Sequence, residues 1–426
     1  MGEDQHSLNP STRNLLVGLI VLVSAVLRLW HLSFELGPAR NFDERYSFAN
    51  VRSARNWGAL RPANAYYLGG TWIPVALTLR AAEAALEPFD QASLVRYDRE
   101  RHRFPPLAYL IARLYAAICG TLAILGVACL ARRLFGDLEA VLAALFLAGS
   151  WAALSYSAQF KPDAILLGGT AATFLLLHAA IDRPSWKRWS AVGILVGFCL
   201  GTKFNAAPLA LPVALAIVCC GAIEQRGRRE TLVSLMVTGS VALGTFLILN
   251  PYLSILWRSY HELKAQYRGR GFDPPAQSLR EGVAFFVDPA MHGWLVGALA
   301  LLGLALLGGR VLRPRDGVSV AQRLTTAALV AFFPIYLLVY AFAAGHAKKN
   351  NFLLLLVSTS IAAAWLTARL VERLPHRTRR PLVLAIVLAA FCARVLPLAF
   401  DVRDARNAPI GREVAAEPEG PPQDPP

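Results

Sequence analysis

Apolar runs of about twenty residues recur along nearly the whole of this 426-residue chain. That is the length a helix needs to cross the hydrocarbon core of a bilayer, and lipid offers the backbone no hydrogen-bond partner there. Each run must therefore satisfy its own N–H and C=O groups by coiling into an α-helix. Candidate spans are 13–32, 106–131, 138–157, 162–181, 189–202, 205–223, 231–256, 290–309, 324–344, 351–371 and 381–400. The share of hydrophobic residues, 55%, exceeds what a soluble domain of this length carries. The expected fold is an all-α polytopic membrane protein with about eleven transmembrane helices. Residues 1–12 read as a cytoplasmic tail and 13–400 as the transmembrane domain, with outer loops at 33–104 and 258–289. The Pro- and Glu-rich segment 401–426 reads as a disordered tail.

The net charge of +15 is that of many nucleic-acid binders, but in a multi-span chain the location of Lys and Arg says more than their sum. With the amino terminus inside, the short inner loops hold Arg132, Arg133, Arg183, Lys187, Arg188, Arg226, Arg228, Arg229, Arg310, Arg313, Arg315, Arg323 and the arginines from Arg369 to Arg380. The short outer loops hold only Lys161, Lys203, Lys348 and Lys349, and the loop at 258–289 adds Arg258, Lys264, Arg268, Arg270 and Arg280. This bias sets the orientation and leaves no role for nucleic acid. The first span has no small-residue cleavage site after it and reads as a retained helix. The composition of the chain, rich in Ala, Leu, Arg and Gly, points to a bacterium with a GC-rich genome, and the expected location is its plasma membrane. The six cysteines all lie in apolar segments, and no phosphate-binding glycine loop opens a helix.

The same orientation puts Asp43 and Glu44 just outside the first span, at the head of a polar loop too long to be a simple connection. Within it, Asp43 to Trp57 mixes Tyr46, Phe48, Val51 and Trp57 with Arg45, Arg52 and Arg55, and Trp72 to Leu86 is a second apolar stretch. Both suit exoplasmic interfacial helices lying along the membrane surface. Whether they roof a cavity or merely cover the surface, their periodicity does not distinguish. Asp43 alone is equally well an ordinary helix cap.

Certain motifs resemble the GT-C glycosyltransferases, in the branch of protein O-mannosyltransferases, the lipid A aminoarabinose transferase and the family-39-like bacterial enzymes. They are Phe42-Asp43-Glu44-Arg45-Tyr46, His102-Arg103-Phe104-Pro105-Pro106, Ala131-Arg132-Arg133-Leu134-Phe135-Gly136, Ser155-Tyr156-Ser157, Lys161-Pro162-Asp163-Ala164 and Gly201-Thr202-Lys203-Phe204. Past Asn250-Pro251-Tyr252 only hydropathy and loop placement agree, and Lys348-Lys349-Asn350-Asn351 stands where relatives often carry an Arg-Tyr pair.

The resemblance implies transfer of a sugar from a polyprenyl-phosphate donor to an acceptor hydroxyl of a glycan, lipid or protein, with inversion, at the exoplasmic face. A carboxylate must take the hydroxyl proton. That role falls to Asp43, with Glu44 orienting the acceptor or Asp43 itself. The leaving phosphate gains charge as the bond breaks, so fixed cations near it lower the barrier. Lys161, Lys203, His102 and Arg103 are the candidates, each with an ordinary alternative as a snorkelling or solvated residue. Asp163, in the first turn behind Pro162, either complements the helix dipole or holds Lys161 or the Asp43 loop. Tyr156, Trp57, Tyr66, Tyr67 and Trp72 either line an acceptor groove or belong to the interfacial aromatic belt. No cofactor and no obligatory metal are expected. The rival class is a secondary transporter or lipid flippase, which would favour paired interrupted helices in corresponding halves; the chain shows no such repeat.

Overall fold

The structure is a computed structural model, and it describes residues 10–32, 42–56, 62–63, 67–98, 104–225, 227–252, 261, 275–288, 292–313, 317–343, 349–375 and 385. The described elements are helices: α1 (Pro10–Leu32), α2 (Phe42–Asn56), α3 (Gly69–Leu86), α4 (Pro106–Leu134), α5 (Asp137–Ala148), α6 (Trp151–Ser157), α7 (Pro162–Asp182), α8 (Trp186–Thr202), α9 (Ala210–Ile223), α10 (Arg228–Leu249), α11 (Pro275–Val287), α12 (Trp294–Leu312), α13 (Val320–Ala343) and α14 (Leu356–Glu372). Two 3-10 turns, Phe204–Leu209 and Lys349–Leu355, lead into α9 and α14.

Among the described residues, eight helices are long and apolar enough to cross a membrane, nine if α5 and α6 count as one bent crossing. The expected single span at 138–157 is in fact two helices bent by 61°. Gly149 ends the first, and Ser150 caps the second, its Oγ accepting the N–H of Ala153. α8, which contains the expected span 189–202, is helical over 17 residues, the lower limit for a crossing. The expected span at 381–400, the tail at 401–426 and the basic part of the loop before Pro275 lie outside the described residues.

α7 and α14 form the centre, with 72% and 89% of their apolar windows buried, whereas α1 and α10 at 22% and 11% face lipid. On α1, Leu15, Leu19, Leu22, Val26 and Leu29 fall at helical spacing and are exposed together, a lipid-facing stripe. Helix α4 starts at Pro106 behind Pro105, where a missing N–H costs nothing, and ends on Arg132 and Arg133, whose charges complement the carbonyl end of the helix. α8 and α10 pack closely because Gly193 and Gly197 present no side chain. A Cβ on Gly197 would stand 2.2 Å from the carbonyl oxygen of Ala242. This is small-residue packing of the kind that associates helices where no hydrophobic drive exists.

The first loop carries the two expected interfacial helices. α2 buries Glu44, Ser47, Phe48, Asn50, Val51 and Ala54, one stripe at three- and four-residue spacing. α3 buries Trp72, Ile73, Val75, Ala76 and Leu79 against it, and Arg80 Nη2 donates to the last-turn carbonyl of Ala54 at 2.6 Å. With Phe104, Tyr109 and Phe160 these residues make a core of their own at the loop end of the bundle. The ring of Phe48 lies 4.2 Å from that of Tyr109 and 5.1 Å from that of Phe104. α3 is docked by its first turn. The N–H of Gly69 donates to Asn250 Oδ1 at 2.9 Å, Thr71 Oγ1 donates to the carbonyl of Thr202 at 3.2 Å, and Tyr115 OH donates to that of Gly70 at 3.1 Å. The backbones approach so closely that a Cβ on Gly69 would lie 1.7 Å from the carbonyl oxygen of Leu249.

Candidate active site

Glu44 is a buried, multiply bonded carboxylate at the loop end. Its side chain is fully buried; Arg113 Nε donates to Oε1 at 2.9 Å and Nη2 to Oε2 at 2.8 Å, and the N–H of Phe160 donates to Oε1 at 2.8 Å. Arg113 Nη1 also donates to the carbonyl of Leu32, the last residue of α1, at 3.2 Å. A guanidinium meeting both oxygens of a carboxylate is the strongest form of such a pair, and out of water neither group tolerates losing the other. One carboxylate thus ties the first turn of α2 to α4, to the end of α1 and to the turn between α6 and α7. Asp43 precedes Glu44 in that turn, and its side chain lies outside the described residues. His102 and Arg103 also lie outside them.

The hydrogen bond from Phe160 has a consequence for the neighbouring residues. Asp43-Glu44 and Phe160-Lys161 flank a single 2.8 Å contact, so the backbones of Asp43 and Lys161 are held one residue away on either side of it. Lys161 is itself buried, with Nζ 5.2 Å from the centroid of the Tyr156 ring, a cation over an aromatic face. Two of the expected residues, Lys161 and Tyr156, therefore meet directly.

Lys203 and Asp163 meet as well. Asp163, fully buried in the first turn of α7, accepts from Lys203 Nζ at 2.9 Å, so its salt link runs to Lys203. Lys203 Nζ also donates to Asn351 Oδ1 at 2.8 Å, which takes a further bond from Asn205 Nδ2 at 2.8 Å. Asn351 Nδ2 donates to Tyr340 OH, and Tyr336 OH donates to the Asn351 carbonyl at 2.5 Å. The cluster joins α7, the turn before α9, α13 and the turn before α14. The side chain of Lys203 retains 14% exposure, whereas that of Asp163 has none.

The described aromatics of the first loop take a different part. Trp72 is 2% exposed within the α2–α3 core and Tyr67 is 7% exposed, with its carbonyl accepting from Asn50 Nδ2 at 3.2 Å. Both are packed inward. Sequence inspection missed Arg113, Asn351, Tyr336 and Tyr340. Arg113 carried a signal nonetheless, as a lone charge two turns inside an apolar span. Arg28 carried it too. It is fully buried, with Nη1 donating to Ser24 Oγ and its carbonyl and Nη2 facing the carbonyl of Ala153 at 3.5 Å.

Residues 109–255 match the profile of the dolichyl-phosphate-mannose-protein mannosyltransferase family. No curated protein sequence matches the chain. Among solved structures it is similar to ArnT from Cupriavidus metallidurans bound to undecaprenyl phosphate, with a TM-score of 0.54 at 15% identity over 92% of this chain and 73% of that one. It is also similar to the oligosaccharyltransferase of Archaeoglobus fulgidus tethered with an acceptor peptide, with a TM-score of 0.52 at 13% identity over 95% of this chain and 56% of that one. The matched segment contains Arg113, Tyr156, Lys161, Asp163 and Lys203, while α2 and α3 precede it. The all-helical fold is thus similar to that of these membrane enzymes, and the central third of the chain matches the mannosyltransferase profile.

Proposed function

We propose that the protein transfers a sugar from a polyprenyl-phosphate donor to an acceptor hydroxyl, with inversion, at the exoplasmic face of a bacterial plasma membrane. The observation that carries this is the contact between Glu44 and Phe160, which ties the first turn of α2, where Asp43 lies, to the turn before α7, where Lys161 lies. Asp43 acts as the base that takes the hydroxyl proton while the acceptor oxygen attacks the anomeric carbon and the phosphate leaves with the bonding electrons. Glu44, locked by Arg113, serves as a positioning residue and keeps the first turn of α2 in place. Lys161 offers positive charge to the departing phosphate, with Lys203, Arg103 and His102 completing the cationic surround. Asp163 and Tyr156 hold Lys203 and Lys161 respectively. No cofactor takes part, because proton transfer and a charged leaving group are met by side chains alone.

The undecaprenyl phosphate of the ArnT structure and the acceptor peptide of the archaeal enzyme support a lipid-phosphate donor and a separate acceptor. The test is consumption of donors from a panel of polyprenyl-phosphate sugars by purified protein and by its Asp43→Asn variant. Wild type should consume one of them, and the variant should bind that donor normally while turnover falls about 10²- to 10⁴-fold. Undiminished turnover in the variant would remove Asp43 from the chemistry. Failure of wild type to bind any donor would favour a transporter.

A further inference from the structure

The two helices joined at Gly193 and Gly197 part at the end of the bundle opposite the candidate site. There a cleft of about 440 Å³ opens between the first turns of α8 and α10. Its mouth is formed by Ser185, Trp186, Arg229 and Glu230, and its floor runs along Val233 and Val237. At the helical rise, Val233 and Val237 lie about 6 and 12 Å deeper along α10 than Arg229. The cleft is therefore polar at one end and apolar along its length, and because α10 is only a tenth buried it opens toward lipid.

The charge around the mouth is mainly positive. Arg183, Lys187, Arg228 and Arg229 are exposed there, against Asp182, Glu224 and Glu230, and Asp182 is ion-paired with Arg183 at 3.6 Å. Trp186 is 67% exposed, and Lys187 Nζ lies 5.8 Å from its ring centroid. An indole at this level sits among headgroups, and the basic-residue bias assigns this end to the cytoplasmic leaflet, where anionic lipids are concentrated.

The geometry points to a seat for an anionic glycerophospholipid, its phosphate at Arg229, with Lys187 adding charge from beside Trp186 at the rim, and one acyl chain along Val233 and Val237. A zwitterionic lipid fills the same apolar floor but gains little from the basic mouth. The seat lies about 25 Å, the length of α8, from Lys203 and is independent of the proposed transfer reaction.

Native mass spectrometry of the purified full-length protein, titrated with phosphatidylglycerol or with phosphatidylcholine of the same acyl chains, tests this. Phosphatidylglycerol should be retained about tenfold more tightly, and Arg229→Gln and Lys187→Gln should each weaken it roughly fivefold. Val233→Trp, which fills the apolar floor, should lower retention of both lipids. Equal retention of the two lipids by wild type, or unchanged phosphatidylglycerol retention in the Arg229→Gln/Lys187→Gln double variant, overturns the assignment. Displacement of the lipid by millimolar inorganic phosphate also overturns it, since the cleft would then hold a free anion. Arg229 and Lys187 are exposed, so their substitution leaves the fold intact.

Discussion

Replacing Glu44 by Ala should detach the first turn of α2 from the bundle. The carboxylate is fully buried and the Arg113 side chain is 6% exposed, so the substitution strands a guanidinium that keeps only the carbonyl of Leu32 among the partners described above. Breaking a buried pair in this way costs about 3–5 kcal/mol. The Phe160 N–H loses its Glu44 acceptor as well, for about 1 kcal/mol more. Glu44→Gln still offers an oxygen to Phe160 and should cost only about 1–3 kcal/mol. The local effect can be read at Ser47, a fully buried hydroxyl on the same helix, replaced by Cys as a near-isosteric reporter. Opening exposes the thiol, so its labelling by a water-soluble reagent should accelerate by roughly two to four orders of magnitude in Glu44→Ala. Adding Arg113→Met removes the stranded charge and should recover more than half of the loss, since residues in direct contact are strongly coupled. Labelling unchanged by Glu44→Ala, or costs of the two single variants that simply add in the double variant, would refute the role of this pair in holding α2.

Lys203→Gln takes the Lys203 ammonium from buried Asp163 and should destabilise the protein by about 3–5 kcal/mol in thermal unfolding, with Asp163→Asn/Lys203→Gln restoring most of it. If Lys203 also serves the donor phosphate, sugar transfer stays impaired in the stable double variant; recovery of transfer together with stability would make its role purely structural. Gly69→Ala puts a methyl group into the Leu249 carbonyl oxygen, and the forced shift of α3 should cost on the order of 1–3 kcal/mol, visible as a lowered Tm. A Tm matching wild type would mean that α3 does not dock through this turn.

The membrane class, the helical architecture and the position of α2 and α3 were readable from the chain, because an apolar run of bilayer length admits only one backbone solution. The roles of Asp43, Lys161 and Lys203 come from resemblance alone and are part of the proposal above. The broken crossing was harder to see. Residues 138–157 are apolar throughout, and hydropathy does not register that Gly149 and Ser150 end one helix and cap another.

What the sequence determined by itself was which segments leave water, since that follows from composition summed over twenty or so neighbours. Which charge meets which was decided only by tertiary structure. Glu44 finds Arg113 from 69 residues away and Lys203 finds Asp163 from 40 away. Nothing local marks those partners, because an ion pair in a low-dielectric interior is chosen by the packing of whole helices. The Gly-lined contacts that bring α3 onto Thr202 and Leu249 decide it in the same way: the backbones approach first, and the buried polar groups take whatever partners that approach leaves within reach.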